Sequence, residues 1–170
     1  MGKWNDTDVP IAYLITFRTY GTWLAGDVRG SIDKNNNIFG GRRVESNIIL
    51  EQQQAKKLKG EPVLLDAHRR RSVEAAIREV CEFRRWKLYA LNVRINHAHS
   101  VVSAQASSDK VLNDFKSYAT RRMRKELVWT EKYSPWVDRG SKRNLWNEDH
   151  IFHACDYVIN GQGYELPKFD

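Results

Sequence analysis

Two histidines separated by a single residue are the side chains in this sequence best placed to do chemistry. In His97-Ala98-His99 the two imidazoles stand at positions i and i+2, which project from the same face of a β-strand. Their nitrogen atoms can then converge on one divalent metal ion, and a central strand would hold them rigidly. By itself, a His-x-His pair more often consists of partly exposed side chains that hydrogen bond to their neighbours, so the surrounding sequence has to decide.

The segments around the histidines predict the strands that would position them. Residues 87–93 and 97–104 are typical of two strands separated by the short connection at residues 94–96, which predicts an antiparallel hairpin. The histidines would open the second of these strands. A further central strand is predicted over residues 11–20, which are rich in β-branched and aromatic residues and stop at Gly21.

Two helices are predicted from capping residues and from apolar spacing. Asp66 can cap the first helix, and Ser107 or Ser108 can cap the second. The apolar residues recur at the spacing of a buried helical face, and they are Val73, Ala76, Ile77, Val80 and Cys81 in the first helix and Val111, Leu112, Phe115, Ala119 and Met123 in the second. Before these helices, residues 21–60 are irregular, with a polar helical patch around residues 51–59.

The last part of the chain predicts a loop, a short strand and a terminal helix. Pro135 and Gly140 punctuate the loop, residues 143–146 can form the strand, and the helix would cover residues 153–160. The order is therefore strand, helix, two strands, helix, strand, helix. This order predicts an α+β fold with one domain over residues 1–170, in which helices cover an antiparallel sheet on the split βαβ or ferredoxin-like plan.

Composition and charge narrow the classes of partner. The chain has 170 residues, enough for one core, with a formal net charge of +7 and a pI of about 9.5. A positive field attracts polyanions, so nucleic acid is the expected partner. No segment approaches the roughly 20 apolar residues that span a bilayer, and the first residues lack the apolar core of a signal peptide. We therefore expect a cytoplasmic protein without a membrane partner.

A group of basic residues offers contacts for DNA. Five lie on the predicted second helix and one on the predicted last strand, and they are Lys116, Arg121, Arg122, Arg124, Lys125 and Arg143. They could neutralise phosphates along a groove, while Trp129, Trp136 and Trp146 offer faces for unpaired bases. The alternative is a solvated basic face with ordinary core tryptophans. The histidine pair nearby favours the interpretation as a DNA-binding surface.

The histidine pair lies in the stretch Asn96-His97-Ala98-His99-Ser100-Val101-Val102, which follows Leu88-Tyr89-Ala90-Leu91-Asn92-Val93. These residues resemble the HUH motif region of the single-tyrosine transposases, and in particular that of the REP-associated tyrosine transposases. Two further matches are Tyr13-Leu14-Ile15-Thr16-Phe17 leading to Tyr20-Gly21-Thr22-Trp23-Leu24, and Phe115-Lys116-Ser117-Tyr118-Ala119-Thr120-Arg121-Arg122. The family's motif commonly follows a Pro-Asn pair and has a bulky middle residue, whereas this chain has Ile95 and Ala98 there.

The resemblance also implies a nucleophile and a third metal ligand. The family's nucleophilic tyrosine lies on its last helix, and Cys155-Asp156-Tyr157-Val158-Ile159-Asn160 resembles that segment, so Tyr157 is the implied nucleophile. Family members usually place a Gln or Asn four residues later as a metal ligand. That position is Gly161 in this chain, so Asn160 or Gln162 would have to take its place.

The activity implied by the resemblance is cleavage and rejoining of single-stranded or hairpin DNA, carried out by a homodimer. A Mg²⁺ or Mn²⁺ ion held by His97 and His99 would polarise a phosphate oxygen while the tyrosine forms a 5′-phosphotyrosine and frees a 3′-hydroxyl. A phenol has an unperturbed pKa near ~10, so it needs a nearby cation or base to attack at neutral pH. The covalent linkage conserves the energy of the phosphodiester, so a second hydroxyl can later rejoin the strands.

Three alternatives remain open from the sequence. The first is a non-catalytic DNA-binding protein derived from such a transposase, which the glycine at position 161 favours. The second is a hydrolytic metalloenzyme in which the histidines and a carboxylate such as Asp149 activate water. The third concerns the nucleophile only: Tyr118 could take that role, although its position on the second predicted helix is better explained by packing.

Overall fold

Eight helices and strands follow one another in the computed structural model, which describes residues 9–22 and 48–168. In chain order they are β1 (Ala12–Thr19), α1 (Ile48–Lys56), α2 (Ala67–Arg84), β2 (Lys87–Val93), β3 (His97–Ser103), α3 (Ser108–Lys125), β4 (Trp136–Leu145) and α4 (Glu148–Asn160). Residues 23–47, which hold most of the segment predicted to be irregular and Trp23 and Leu24 of the family resemblance, lie outside the described residues. None of the helices within the described ranges combines the length and the apolar character of a bilayer-spanning segment.

The four strands form one antiparallel sheet in the order β2-β3-β1-β4. β3 lies between β1 and β2, so the connection through α2 joins two strands that run in the same direction without being neighbours. The connection through α3 relates β3 and β4 in the same way, with β1 between them. Two interleaved connections of this kind define the split βαβ, ferredoxin-like plan. The predicted α+β fold is therefore confirmed.

The two long helices begin where their capping residues predict. The Asp66 carboxylate accepts a hydrogen bond from the backbone N–H of Arg69 at 2.8 Å, and the Ser107 hydroxyl accepts one from the backbone N–H of Lys110 at 3.3 Å. Each cap satisfies an N–H group that the first helical turn leaves without a partner inside the helix. The apolar stripes predicted for the two helices are buried.

Alternate residues of the strands supply the two faces of the sheet, because successive side chains of a strand point in opposite directions. On one face, Tyr13, Ile15 and Phe17 of β1 pack with the apolar stripes of α2 and α3 in the main core. On the other face, Leu14 and Val101 pack with α4 in a smaller cluster. We call these two surfaces the core face and the α4 face.

β4 is longer than the sequence predicts. It begins at Trp136, and Gly140, which predicts a loop, instead pairs with Phe17 inside the sheet. A Cβ atom at Gly140 would lie 2.7 Å from a backbone oxygen of β1 and 2.9 Å from the Leu112 side chain. The glycine therefore permits a close approach of strand and helix at this point rather than a turn.

α4 begins at Glu148, earlier than the predicted start at residue 153. The Asn147 side chain caps this first turn by accepting a hydrogen bond from the backbone N–H of His150 at 2.8 Å. The extra turn lengthens the helix that covers the α4 face, where Ala154 and Val158 are buried. The helix ends at Asn160, as predicted.

Candidate active site

The two histidines occupy the first and third positions of β3, and both point towards α4. The residue between them, Ala98, is fully buried on the core face. The imidazole ring centroids of His97 and His99 lie 4.6 Å apart, with the planes inclined at 74°. The alternation predicted from the His-x-His pattern therefore brings the two rings together, and the middle residue is small and apolar because it packs in the core.

His99 is buried and held by a neighbouring strand. Its Nδ1 atom lies 2.7 Å from Oγ1 of Thr16, which is its cross-strand partner on β1. The pKa of His99 is lowered to about 3, chiefly by burial and also by the nearby His97 and Arg94, while a side-chain hydrogen bond with Gln162 partly opposes the shift. The imidazole is therefore neutral at ordinary pH, and with Nδ1 engaged it can offer Nε2 as a metal ligand.

His97 is oriented by the residue before it and faces the end of α4. Its Nδ1 atom lies 2.6 Å from Oδ1 of Asn96, an acceptor, so Nδ1 carries the proton and donates it. Its Nε2 atom lies 3.4 Å from Oε1 of Gln162. In the neutral imidazole this places a nitrogen lone pair opposite an amide oxygen. Two acceptors that face each other in this way form a donor set suited to a divalent cation.

Gln162 brings its amide to the histidines from beyond the end of α4. Its Nε2 atom donates to the backbone oxygen of Tyr157 at 3.0 Å, so the same amide caps the last helical turn and directs its oxygen at His97. At Gly161 a Cβ atom would lie 2.6 Å from that backbone oxygen, so the close turn favours glycine. Asn160 is exposed, and its amide donates to Asp156 at 2.7 Å. Of the two amides predicted as substitutes, the structure therefore brings only Gln162 to the site.

Tyr157 lies beside the histidines on α4. Its ring centroid is 5.4 Å from that of His99, with the planes at 71°. The helix is anchored at this level by Asn92 of β2, whose side-chain amide donates to the backbone oxygen of Val158 at 2.9 Å. Asn92 is also the cross-strand partner of His99, so one residue links the helix to the strand that carries the metal-ligand candidates.

Arg143 is the predicted DNA-binding residue that lies closest to this group. It pairs with Leu14 on β1, which places its side chain on the α4 face. Burial lowers the pKa of its guanidinium, and the charge of Tyr157 in its ionised form opposes that shift. The guanidinium therefore belongs to the same face of the sheet as α4 and Tyr157.

The other basic residues predicted to bind DNA lie on α3, on the opposite side of the sheet from Tyr157. Arg122 pairs with Glu79 and Glu126 at 3.1 and 2.8 Å, Arg124 donates to backbone oxygens of the following loop, and Lys125 is exposed. The Arg121 guanidinium lies over the ring of Tyr118 at 4.4 Å. Neither this tyrosine nor the exposed cations of α3 can therefore reach the histidines.

Lys116 does not occupy the predicted surface position. It is 9% exposed, and its ammonium group donates to the backbone oxygens of Val137, Asp138 and Arg139 at 2.7, 3.2 and 3.2 Å. These three residues of β4 stand opposite the single residue Arg18 of β1 and form a bulge. The structure therefore places the charge of Lys116 at this bulge and not at an exposed surface, and its contact with DNA stays a prediction.

Two of the tryptophans predicted to offer stacking faces are core residues. Trp129 and Trp136 are 4% and 3% exposed, and only Trp146, at 48%, presents a surface. Asp149, the predicted carboxylate of a hydrolytic site, lies in the first turn of α4, eight residues before Tyr157 and so about 12 Å away along the helix. Within the described residues, no third His, Cys, Asp or Glu completes a metal-binding cluster.

The structure adds candidate site residues that the sequence did not single out. Thr16, Asn92 and Arg94 surround the histidines through the pairing of β1, β2 and β3. The alternation of side chains within the strands could be predicted from the sequence. The register that brings these residues opposite the histidines could not, because it depends on the whole sheet.

Comparison with known families identifies the chain as a member of the IS200-like transposase family, whose model matches residues 58–158, more than half of the chain. This confirms the resemblance predicted from the histidine motif. A solved structure of a REP-associated tyrosine transposase bound to a REP hairpin is similar at 13% identity, with a TM-score of 0.47 and coverage of 93% of this chain and 70% of that chain. A protein from Deinococcus radiodurans R1 that is named a transposase is also 13% identical, with a TM-score of 0.46 and coverage of 96% and 100%. The comparison with curated proteins gives no match.

Proposed function

We propose that this transposase-family protein cleaves and rejoins single-stranded DNA with Tyr157 as the nucleophile. The observation that carries the proposal is the position of the Tyr157 ring 5.4 Å from His99, on the sheet face that also holds His97 and Arg143. A nucleophile, a cation and two imidazoles on one face are the groups that phosphoryl transfer to a tyrosine requires.

In the proposed step, the Oη atom of Tyr157 attacks the phosphorus of one phosphodiester. The new Oη–P bond forms as the bond from phosphorus to the 3′ oxygen breaks, so the phenol loses its proton and the departing 3′ oxygen gains one. The 5′ end of the DNA remains attached to the tyrosine. Attack by another 3′-hydroxyl on this linkage reverses the exchange and joins two strands without a further energy source.

Several residues of the chain prepare this step. Arg143 supplies a positive charge on the face of the sheet that holds Tyr157, where it can attract the phosphate under attack. The hydrogen bond from Asn92 to the backbone of α4 ties this helix to β2, which fixes the position of Tyr157 relative to the histidines. Thr16 orients the ring of His99 by its bond to Nδ1.

The donor set fits a divalent metal ion. His97 and His99 offer imidazole nitrogens and Gln162 offers an amide oxygen, a combination that accepts Mg²⁺, Mn²⁺ and other divalent ions. When bound, such an ion supplies positive charge to a non-bridging oxygen of the phosphate.

The substrate class follows from the charge of the protein and from its family. A net charge of +7 suits a polyanion, and strand exchange at a tyrosine needs an accessible, unpaired phosphodiester. The exposed cations of α3, Arg121, Arg124 and Lys125, lie on the other side of the sheet, so we assign them to DNA beyond the cleavage site. A hairpin with a single-stranded flank offers both kinds of contact.

Incubation of the purified protein with end-labelled hairpin DNA and Mn²⁺, followed by a denaturing gel, tests the proposal. The wild type is expected to give a covalent protein–DNA band that Tyr157→Phe abolishes. Tyr118→Phe is the matched control, because it removes one tyrosine hydroxyl from the opposite side of the sheet and should leave the band intact. Binding of several hairpins without any band from the wild type would favour the non-catalytic DNA-binding protein instead.

A further inference from the structure

A cleft lies along the free edge of β2, next to the candidate active site. It encloses about 540 Å³ between the start of α2, the edge strand and the chain that follows α4. Its lining includes Arg70 and Glu74 of α2, Asn92 and Arg94 at the end of β2, and Gly163 after α4. None of these residues was singled out by the sequence or used in the proposed reaction as a contact for DNA.

Two arginines, Arg70 and Arg94, line this cleft. Arg70 donates to the backbone oxygen of Leu65 at 3.0 Å and to that of Pro167, which are neutral acceptors. Burial lowers the pKa of Arg94, and the positive charge of Arg70 lowers it further. Two cations brought together in this way create a local positive potential that attracts an anion.

Two carboxylates, Glu74 and Glu165, line the cleft against four basic side chains, so the lining keeps a net positive charge. Glu74 is engaged by Arg78, whose guanidinium lies 2.8 Å from its carboxylate. Glu165 is exposed in the segment after α4. In the described part of the chain, neither Arg70 nor Arg94 forms an ion pair with an acidic side chain.

The cleft is continuous with the candidate active site. Asn92, which lines it, is the cross-strand partner of His99, and the backbone N–H of Arg94 donates to the backbone oxygen of His97 at 2.7 Å. Ile159 and Gly163 line the cleft on either side of Gln162, whose amide oxygen faces His97. A strand that crosses the two histidines can therefore leave the site over Arg94.

We propose that this cleft binds a phosphodiester of the substrate strand that adjoins the cleaved linkage, with Arg70 and Arg94 as its ligands. Guanidinium groups match phosphate oxygens in pairs, so two of them suffice to fix one phosphate. The inference rests on the proposed function, since it presumes that the substrate strand passes the histidines. It assigns the direction in which that strand leaves the site, over the β2 edge.

The test measures binding of a fluorescent single-stranded oligonucleotide over a range of salt concentrations, with Tyr157→Phe as the parent protein so that no cleavage intervenes. Arg94→Gln and Arg70→Gln are each expected to weaken binding about tenfold. Each should also reduce the salt slope by about 0.7, because one cation no longer neutralises the phosphate. Arg84→Gln is the matched control, because it removes the same charge from the same helix about 21 Å away along its axis. Its affinity and slope should equal those of the parent.

Oligonucleotides with one neutral methylphosphonate at successive linkages then locate the bound phosphate. One linkage should weaken binding to the parent, and the same substitution should cost nothing more in Arg94→Gln. Equal affinities for the parent and both variants, all with unchanged thermal unfolding, or an equal loss in Arg84→Gln, would overturn the proposal. A covalent band from the wild type together with those results would leave the proposed function intact and remove only the cleft. If no covalent band forms but a bound phosphate is localised at Arg94, the proposed cleavage is wrong and the cleft remains a phosphate-binding site.

Discussion

The two faces of the sheet differ in chemistry although the same strands build both. On the core face, Tyr13, Ile15 and Phe17 of β1 are large apolar side chains that pack against α2 and α3. On the α4 face, the cross-strand pair Leu14 and Val101 is apolar. The next pair on the same face, Thr16 of β1 and His99 of β3, is polar. Because successive side chains of a strand point to opposite faces, one sheet can bury apolar side chains on one face and carry the candidate active site on the other. The apolar residues of the α4 face pack against α4 and so hold this helix beside the histidines.

The largest expected effect separates activity from stability on the α4 face. His97→Gln should reduce the rate of covalent adduct formation on the order of 100-fold or more, because it removes one imidazole ligand from the metal-binding group. Unfolding by urea should change little, since His97 is only half-buried. His68→Gln, an exposed position on α2, is the control. If both variants retain the wild-type rate, the histidine pair has no role in the reaction.

The converse expectation applies to the core face. Phe115 on α3 is fully buried, and Phe115→Ala should lower the free energy of unfolding by about 3–5 kcal/mol. Phe152 on α4 is 70% exposed, so Phe152→Ala should change it by less than about 0.5 kcal/mol. Urea denaturation of the two variants measures the contrast. A small loss at Phe115 would mean that the core face is less tightly packed than its burial indicates.

Lys116 and Lys125 compare a buried and an exposed basic residue of the same helix. Lys116→Met should cost about 1–3 kcal/mol of unfolding free energy, because three backbone oxygens of the β4 bulge lose their donor. Lys125→Met, which removes an exposed charge from the same helix, should change stability by less than about 0.5 kcal/mol. DNA affinity at the cleavage site should be the same for Lys116→Met as for the wild type. Unchanged stability together with weaker DNA binding would restore the surface role predicted from the sequence.

Much of the fold could be predicted because it depends on local patterns. Strand alternation at His97 and His99, the caps at Asp66 and Ser107, and the order of elements each rest on residues near one another in the chain. Gly140 misled the prediction, because a glycine required by strand packing has the same composition signature as one required by a turn.

The surroundings of the candidate site could not be predicted, because they depend on register and on packing between distant elements. Thr16 and Asn92 reach His99 only through the pairing of three strands. Lys116 and Arg121 are both basic residues of one helix, and the partners that Lys116 finds at the β4 bulge depend on how α3 packs against β4. Gln162 acts from outside its helix, where helical spacing from Tyr157 gives no guidance.

The smallest expected effect is a pH dependence that distinguishes the buried imidazole from the rest of the α4 face. The pKa of His99 is lowered from 6.5 to about 3, chiefly by burial. Below pH 6.5 the unfolded chain therefore binds a proton at His99 that the folded protein does not bind until the pH approaches 3. Its contribution to stability is therefore fully present above pH 6.5 and is lost progressively as the pH falls towards 3. The loss between pH 6.5 and 5.5 should be about 1 kcal/mol in metal-free protein. Urea denaturation of the wild type and His99→Gln at several pH values isolates this term, since other titrating groups are common to both. Parallel curves for the two proteins across this range would show that His99 is accessible to protons in the folded state.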